Sequence, residues 1–219
     1  MENMPYRPGM EVALQPVSGD VTTSDWQRAL PVLRGRRVTL RELRASDAAS
    51  LFAMLSTEEV ARFINPPPST IEGFEKFILW AQRQRAAGAY LCFAVTLPEY
   101  DDAIGLFQVR QLGENFDVAE WGFALGSAFW GSGVFAESAS LVLEFVFDTL
   151  SARRLEARAA VLNGRGNGAL LKIGAVQEGI LRKSFVRRGE CLDQALYAIL
   201  ETEWRAHRAR LAASLVRVH

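Results

Sequence analysis

The amino-acid sequence predicts one α/β domain with helices packed on a mixed, mostly antiparallel sheet. Three apolar, strand-like segments follow one another with short turns between them, at residues 90–97, 103–112 and 118–125. This order is typical of an antiparallel meander. A helical period follows at 137–150 and an alternating strand pattern at 153–161. Strand, helix and strand in that order predict a single β-α-β crossover within the sheet.

Composition excludes several classes of function. The chain has 219 residues, of which 49% are hydrophobic and 23% charged, and its formal net charge is zero. It lacks the basic excess of a nucleic-acid-binding protein, and no apolar run approaches the ~20 residues that cross a membrane. We therefore expect a cytoplasmic protein without nucleic-acid or membrane partners, and a homodimer is left open.

Cysteine and histidine are too few for the common metal and triad sites. Cys92 and Cys191 lie far apart and form no Cys-x-x-Cys pair, and the histidines are His207 and His219. We expect free thiols, no metal and no Ser-His-Asp triad.

The flanking segments complete the predicted order of elements. Residues 1–33 contain several prolines and glycines without clear periodicity, which predicts an N-terminal extension. The domain itself is expected at 34–206 and a tail at 207–219. The remaining predicted elements are a strand at 36–43, helices near 48–56, 57–63 and 71–87, a glycine-rich loop at 163–168, a short helix at 169–173, and a hairpin of strands at 176–188 and 191–200.

A glycine loop at residues 126–133 precedes the long helix and contains Gly131-x-Gly133. A helix N-terminus presents unpaired N–H groups and a positive dipole end, and glycines let these groups approach a phosphate. The spacing alone leaves open a phosphate-carrier site, a Rossmann dinucleotide site and a plain turn. Glu156 lies near the position of a Rossmann ribose ligand, but it falls early in its strand and a second mononucleotide-binding half is missing.

Two groups of residues carry a family resemblance. The first comprises Glu120, Gly122, Phe123, Leu125, Trp130, Gly131, Gly133 and Glu137. The second comprises Asn163, Lys172, Gly174, Glu178, Gly179 and Asp193. Over about residues 36–204 they resemble the motifs E-x-G-Y-x-L, W-G-x-G-Y-A-x-E-A and N-x-x-S…K-x-G-F…E-G. These motifs are those of the Gcn5-related N-acetyltransferase (GNAT) superfamily, especially its RimJ/RimL-like branch.

The resemblance implies transfer of an acetyl group from acetyl-CoA to a primary amine, by direct attack in a ternary complex and without a metal. The acceptor would be a protein N-terminus or a small molecule. Gly166 replaces the serine of N-x-x-S, and the short helix lacks the tyrosine that many GNAT enzymes carry. Tyr197 and Ser138 could protonate the thiolate, and a structural role is the alternative for each. The alternative is a module that binds CoA or acyl-CoA without turnover.

The resemblance also assigns residues to the cofactor. The N–H groups of residues 131–136 would hold the pyrophosphate, and those near Phe123 or Ala124 would bind pantetheine and stabilise the oxyanion. The expected cofactor-binding residues are Phe123, Ala124, Leu125, Trp130, Gly131, Ser132, Gly133, Val134, Phe135, Ala136 and Asn163. An arginine of the pairs at 153–154 or 187–188 could meet the 3′-phosphate.

Glu120 is the candidate general base, on the strand just before the glycine loop. The alternative is a salt-bridged strand residue without a role in proton transfer. The residues expected to line the acceptor pocket are Phe63, Asn65, Trp80, Trp121 and Phe185, and ordinary core burial is the alternative for each. Glu137 is expected to be structural, because its charge suits the N-terminus of a helix.

Overall fold

The structure is a computed structural model that describes residues 25–216, with side chains as far as residue 209. Its strands are β1 (Leu33–Arg34), β2 (Thr39–Glu42), β3 (Tyr90–Leu97), β4 (Tyr100–Gln111), β5 (Val118–Leu125), β6 (Arg154–Ala160), β7 (Val176–Arg187) and β8 (Glu190–Leu200). Its helices are α1 (Ala48–Leu55), α2 (Glu58–Ala61), α3 (Ile71–Ala86), α4 (Val134–Glu144), α5 (Gly164–Lys172) and α6 (Glu201–Val216).

The strands of the described chain form one sheet in the order β1-β2-β3-β4-β5-β6-β8-β7. Neighbouring strands are antiparallel except β5 and β6, which are parallel. The predicted meander is β3-β4-β5, and the predicted crossover is β5-α4-β6. The predicted fold class is therefore confirmed.

A hydrophobic core lies on each face of the sheet. On one side, which we call the α4 face, Val142 of α4 and Leu170 of α5 belong to the same buried cluster as Trp121 of β5. On the other side, the α3 face, Phe77 of α3 belongs to a cluster with Ala124 of β5. Because side chains alternate along a strand, successive residues of β5 serve opposite faces.

The predicted loop at 163–168 is wrong, because α5 already starts at Gly164. Asn163 caps the helix, and its Oδ1 accepts a hydrogen bond from the N–H of Gly166 at 3.0 Å. Asn167 Nδ2 donates to the carbonyl of Ala160 at 2.9 Å and ties the first turn to β6. These bonds and the buried Leu170 offset the cost of glycine in a helix, about 1 kcal/mol per residue.

Other boundaries differ more modestly. α4 begins at Val134 rather than at residue 137 and continues as a π-helical turn over Phe145–Thr149. The short strand β1 precedes the strand that the sequence predicts. After β8 the chain continues directly into α6, which runs past residue 207. None of the helices in the described residues combines the length and apolar content that a membrane-spanning helix requires.

Candidate cofactor and active site

The parallel strands β5 and β6 separate part-way along their length. Their paired residues are only Val118–Glu120 of β5 and Arg154–Glu156 of β6 within the described chain. We call the opening between residues 121–125 and 157–160 the strand gap. It lies beside the glycine loop, which leaves the end of β5.

The hydrogen-bonding pattern decides which backbone groups face the strand gap. The N–H of Gly126 donates to the carbonyl of Ile104 at 2.9 Å, so the even-numbered residues of β5 bond to β4. The N–H and C=O groups of Phe123 and Leu125 therefore point away from β4, into the gap. The Leu125 carbonyl accepts a hydrogen bond from Trp130 Nε1 at 3.0 Å, which folds the indole back over the end of β5.

The glycine loop ends in backbone conformations that favour glycine. Gly131 has φ +77° and Gly133 has φ +87°, and α4 begins directly after Gly133. The first N–H groups of a helix lack intrahelical partners, and that of Val134 makes only a long bond to Ser132 Oγ at 3.4 Å. The turn therefore presents donors to a ligand at the positive end of the helix. The arrangement can hold a phosphate group without a cationic side chain.

Cationic side chains nevertheless reach this loop from two distant segments. Arg37, in the turn between β1 and β2, donates from Nη1 to the Ser132 carbonyl at 2.9 Å. Arg165, in the first turn of α5, places its Cζ 4.1 Å from the centroid of the Trp130 ring. Sequence reasoning missed both, because Arg37 lies 95 residues from its partner and no local motif includes it.

The arginine pairs that could meet a 3′-phosphate have partners within the protein. Arg153 pairs with Asp117 at 2.6 Å, and Arg188 contacts Glu58. Arg154 donates to Glu156 at 2.8 Å and to Glu178 at 2.5 Å, while Arg187 donates to the carbonyl of Ala61 at 2.8 Å. The hydrogen bond from Arg154 also holds the pKa of Glu178 below its usual value.

Glu137 holds the turn that carries Arg37. Its carboxylate accepts from the backbone N–H groups of Arg36 and Arg37, the latter at 3.2 Å from Oε2. The side chain therefore joins the start of α4 to the turn between β1 and β2. Its position in the first turn of α4 therefore serves this connection as well as the favourable interaction with the helix dipole.

Glu120 lies on the α3 face, as its alternation with Trp121 requires, and is only 2% exposed. Its Oε2 accepts from Arg110 Nη2 at 2.7 Å and lies 3.9 Å from Arg158 Nε. Arg158 belongs to the part of β6 that borders the strand gap. The carboxylate thus lies beside the opening, between two guanidinium groups.

Comparison with known families matches residues 37–176 to the acetyltransferase (GNAT) domain, which is more than half of the chain. The chain belongs to the GNAT acetyltransferase family. The family assignment predicted from the motifs is confirmed, and with it the assignment of an enzyme that transfers acetyl groups.

Related GNAT proteins cover most of the chain. The uncharacterized N-acetyltransferase p20 of Bacillus licheniformis is 26% identical over 176 residues, which is 80% of this chain and 99% of that protein. A GCN5-related N-acetyltransferase from Brucella melitensis is 28% identical, with a TM-score of 0.70 over 80% of this chain and 81% of its own. RimJ of Mycobacterium smegmatis, solved with CoA-disulfide, shares the fold at 20% identity, with a TM-score of 0.69 over 80% of this chain and 89% of its own.

The residues expected around a GNAT acceptor pocket lie on different parts of the fold. Phe63 and Asn65 are half-buried in the segment between α2 and α3. Trp80 packs on Tyr90, with ring centroids 4.9 Å apart, and belongs to the α3 face. Trp121 is buried on the α4 face, so the two tryptophans do not meet.

The remaining candidates occupy structural positions. Phe185 is buried in β7. The Tyr197 hydroxyl donates to Asn167 Oδ1 at 2.9 Å, which ties β8 to α5. Ser138 Oγ is buried in α4 and has no hydrogen-bond partner in the described residues.

Proposed function

We propose that this GNAT protein moves an acetyl group from acetyl-CoA to a primary amine by direct attack in a ternary complex. The observation that carries the proposal is the strand gap, with unpaired amides beside the glycine loop at the start of α4. The gap would hold the pantetheine arm of the cofactor, and the loop would bind its phosphates.

The cofactor is held mainly by main-chain donors. The N–H groups from Gly131 to Ala136 bind the pyrophosphate, as a helix N-terminus suits an anion. The pantetheine arm lies in the strand gap and bonds to β5 as an added strand would. Trp130, Ser132, Val134 and Phe135 supply the walls around it, and Asn163 contributes its amide from the start of α5.

One backbone amide is suited to the oxyanion of the tetrahedral intermediate. The N–H of Ala124 points towards β4, whereas the N–H of Phe123 points into the strand gap. This follows from the hydrogen bond of Gly126 to β4, because alternate residues of β5 bond to that strand. The Phe123 amide therefore polarises the thioester carbonyl and stabilises the charge that develops on its oxygen.

Glu120 acts as the general base, from the α3 face of the gap. An α-amine has a pKa of about 7.7–8.0, so a useful fraction of it is neutral and nucleophilic at pH 7. Because Oε2 is engaged by Arg110, the transfer runs to Oε1 through a water molecule. The thiolate, with a thiol pKa of about 8.5, departs without a dedicated acid.

The acceptor enters from the α3 face, where Phe63 and Asn65 border the segment between α2 and α3. Trp80 and Phe185 shape this region through packing rather than direct contact, whereas Trp121 packs on the opposite, α4 face. The acceptor is a protein N-terminus or a small amine in the cytoplasm, and the choice between them lies in loop residues that differ among GNAT proteins.

Two measurements test the function on the full chain. Free CoA at a hundredfold excess over its Kd should raise Tm by about 5–10 °C, since such binding stabilises the native state by about 2.7 kcal/mol. Thiol release from acetyl-CoA should then appear with at least one member of a panel of amines and N-terminal peptides. Binding without release on every acceptor would favour a CoA-binding module, and the absence of both would refute the proposal.

A further inference from the structure

We propose that Arg37 binds the diphosphate of coenzyme A directly, as a cation added to the main-chain cradle. The inference rests on the proposed function and adds a specific binding residue to it. Its source is the turn between β1 and β2, which no motif of the glycine loop includes.

The Arg37 guanidinium lies against the residue at which α4 starts. Its Nη1 donates to the Ser132 carbonyl at 2.9 Å. A Cβ atom on Gly133 would lie only 2.5 Å from the same nitrogen, so the guanidinium packs directly against this residue, whose positive φ favours glycine. The positive charge therefore lies beside the first N–H groups of the helix.

The guanidinium has donors left for a ligand. An arginine side chain carries five N–H donors in a planar fork, and Arg37 uses one of them among the described residues. The side chain is exposed, so a phosphate would meet it without first displacing protein. Charge-assisted, two-pronged hydrogen bonds to phosphate oxygens are the interaction for which this fork is suited.

Glu137 positions the turn that carries Arg37 through hydrogen bonds from backbone N–H groups. Its carboxylate lies in the first turn of α4, where it would repel a bound diphosphate. It accepts from the N–H groups of Arg36 and Arg37, which reduces its field at the loop. The Arg37 guanidinium supplies the opposite charge at this end of the helix.

The experiment compares Arg37→Ala with Arg36→Ala, which removes the same charge from the same turn. The Arg36 side chain is exposed and makes no contact with the glycine loop in the described residues. Each variant is assayed with acetyl-CoA, with dephospho-acetyl-CoA, which keeps the diphosphate, and with acetyl-pantetheine, which has none. CoA binding is measured by calorimetry in parallel, and thermal unfolding confirms that each variant is folded.

For Arg37→Ala we expect the ratio of kcat/KM for acetyl-CoA to that for acetyl-pantetheine to fall about tenfold or more. The change should appear in KM and in the Kd for CoA, while kcat at saturation stays within about twofold. Dephospho-acetyl-CoA should lose as much as acetyl-CoA, Arg37→Lys should recover part of the loss, and Arg36→Ala should change the ratio less than about twofold.

Three results would overturn the inference. An equal loss with acetyl-pantetheine would mean that Arg37 only supports the loop. A loss with acetyl-CoA but not with dephospho-acetyl-CoA would assign it to the 3′-phosphate, and an equal effect of Arg36→Ala would indicate a general effect of charge. A wild-type protein that does not bind CoA would refute the proposed function instead, so the two failures are distinguishable.

Discussion

At the residue scale, Glu120 is a buried carboxylate that lies between two arginine side chains. A carboxylate that is 2% exposed would be costly without a partner, and the bond from Arg110 supplies one. The sequence predicted the position of Glu120 before the glycine loop but not its partners, since Arg110 reaches it across the β4-β5 ladder.

Replacing Glu120 with glutamine should lower kcat about a hundredfold or more at neutral pH, because a positioned base contributes about 10²–10⁴ to the rate. The shape of the pH–rate profile should change as well, because the variant has no side chain that takes the proton from the amine. Stopped assays of thiol release across pH measure both effects.

Glu156→Gln is the matched control. Glu156 is the register partner of Glu120 on β6. Its carboxylate pairs with Arg154, and it has no role in the proposed proton transfer. The base assignment fails if Glu120→Gln keeps the wild-type rate and pH profile, and thermal unfolding separates either result from a loss of fold.

At the element scale, α5 shows the limit of local patterns. Three glycines at Gly164, Gly166 and Gly168 indicate a loop by propensity, yet the segment is helical. The deciding interactions are a cap from Asn163 and a bond between Asn167 and Tyr197 of β8. The second partner is distant in sequence, so propensity alone could not reveal it. By contrast, β5, α4 and β6 have strong periodicity and were predictable.

Asn163 caps α5 and is proposed to bind the cofactor, and two substitutions distinguish these roles. Asn163→Ala should lower the free energy of unfolding by about 1 kcal/mol, the usual worth of an N-cap. Asn163→Ser keeps an oxygen that can cap, so its stability should stay near that of the wild type. Both should raise KM for acetyl-CoA several-fold, since both lose the amide donor. Denaturant unfolding and steady-state kinetics give the two readings.

A normal KM in Asn163→Ser would reduce Asn163 to a helix cap. Gly164→Ala is a useful companion variant, because an added Cβ there meets no atom within 4 Å. It should leave KM unchanged and test whether any alteration at this turn disturbs the cofactor.

At the scale of the whole molecule, the sheet separates the proposed phosphate-binding loop from the proposed general base. The α4 face carries the helix that begins at the glycine loop, and the α3 face carries Glu120. The sequence predicted the order of elements and the main-chain cradle, because both depend on residues close together in the chain. It could not predict the approach of Arg37 to Ser132, which depends on how β1 and β2 join the edge of the folded sheet.

The reactivity of the two cysteines shows whether the core on the α3 face stays closed in solution. Cys92 is buried in the α3-face cluster, and burial raises the pKa of its thiol well above the usual value. Cys191 is exposed in the β7-β8 hairpin. A disulfide-exchange reagent near pH 8 should therefore label one thiol in the native protein and both after unfolding, because the thiolate is the reactive form.

Colorimetric titration counts these thiols, and Cys191→Ser should leave the native protein with none that reacts quickly. Two thiols of equal reactivity in the native wild type would mean that the α3-face cluster opens readily in solution.

The separation of β5 from β6 has a consequence for the choice of acyl donor. The sides of the opening are strands, each held on its outer edge by another strand, and such walls yield less than loops do. The room for a chain longer than acetyl is therefore set by the volume of a few strand side chains. We expect natural or engineered variants that accept propionyl or succinyl groups to carry their changes in β5 and β6, with the surface loops left as they are.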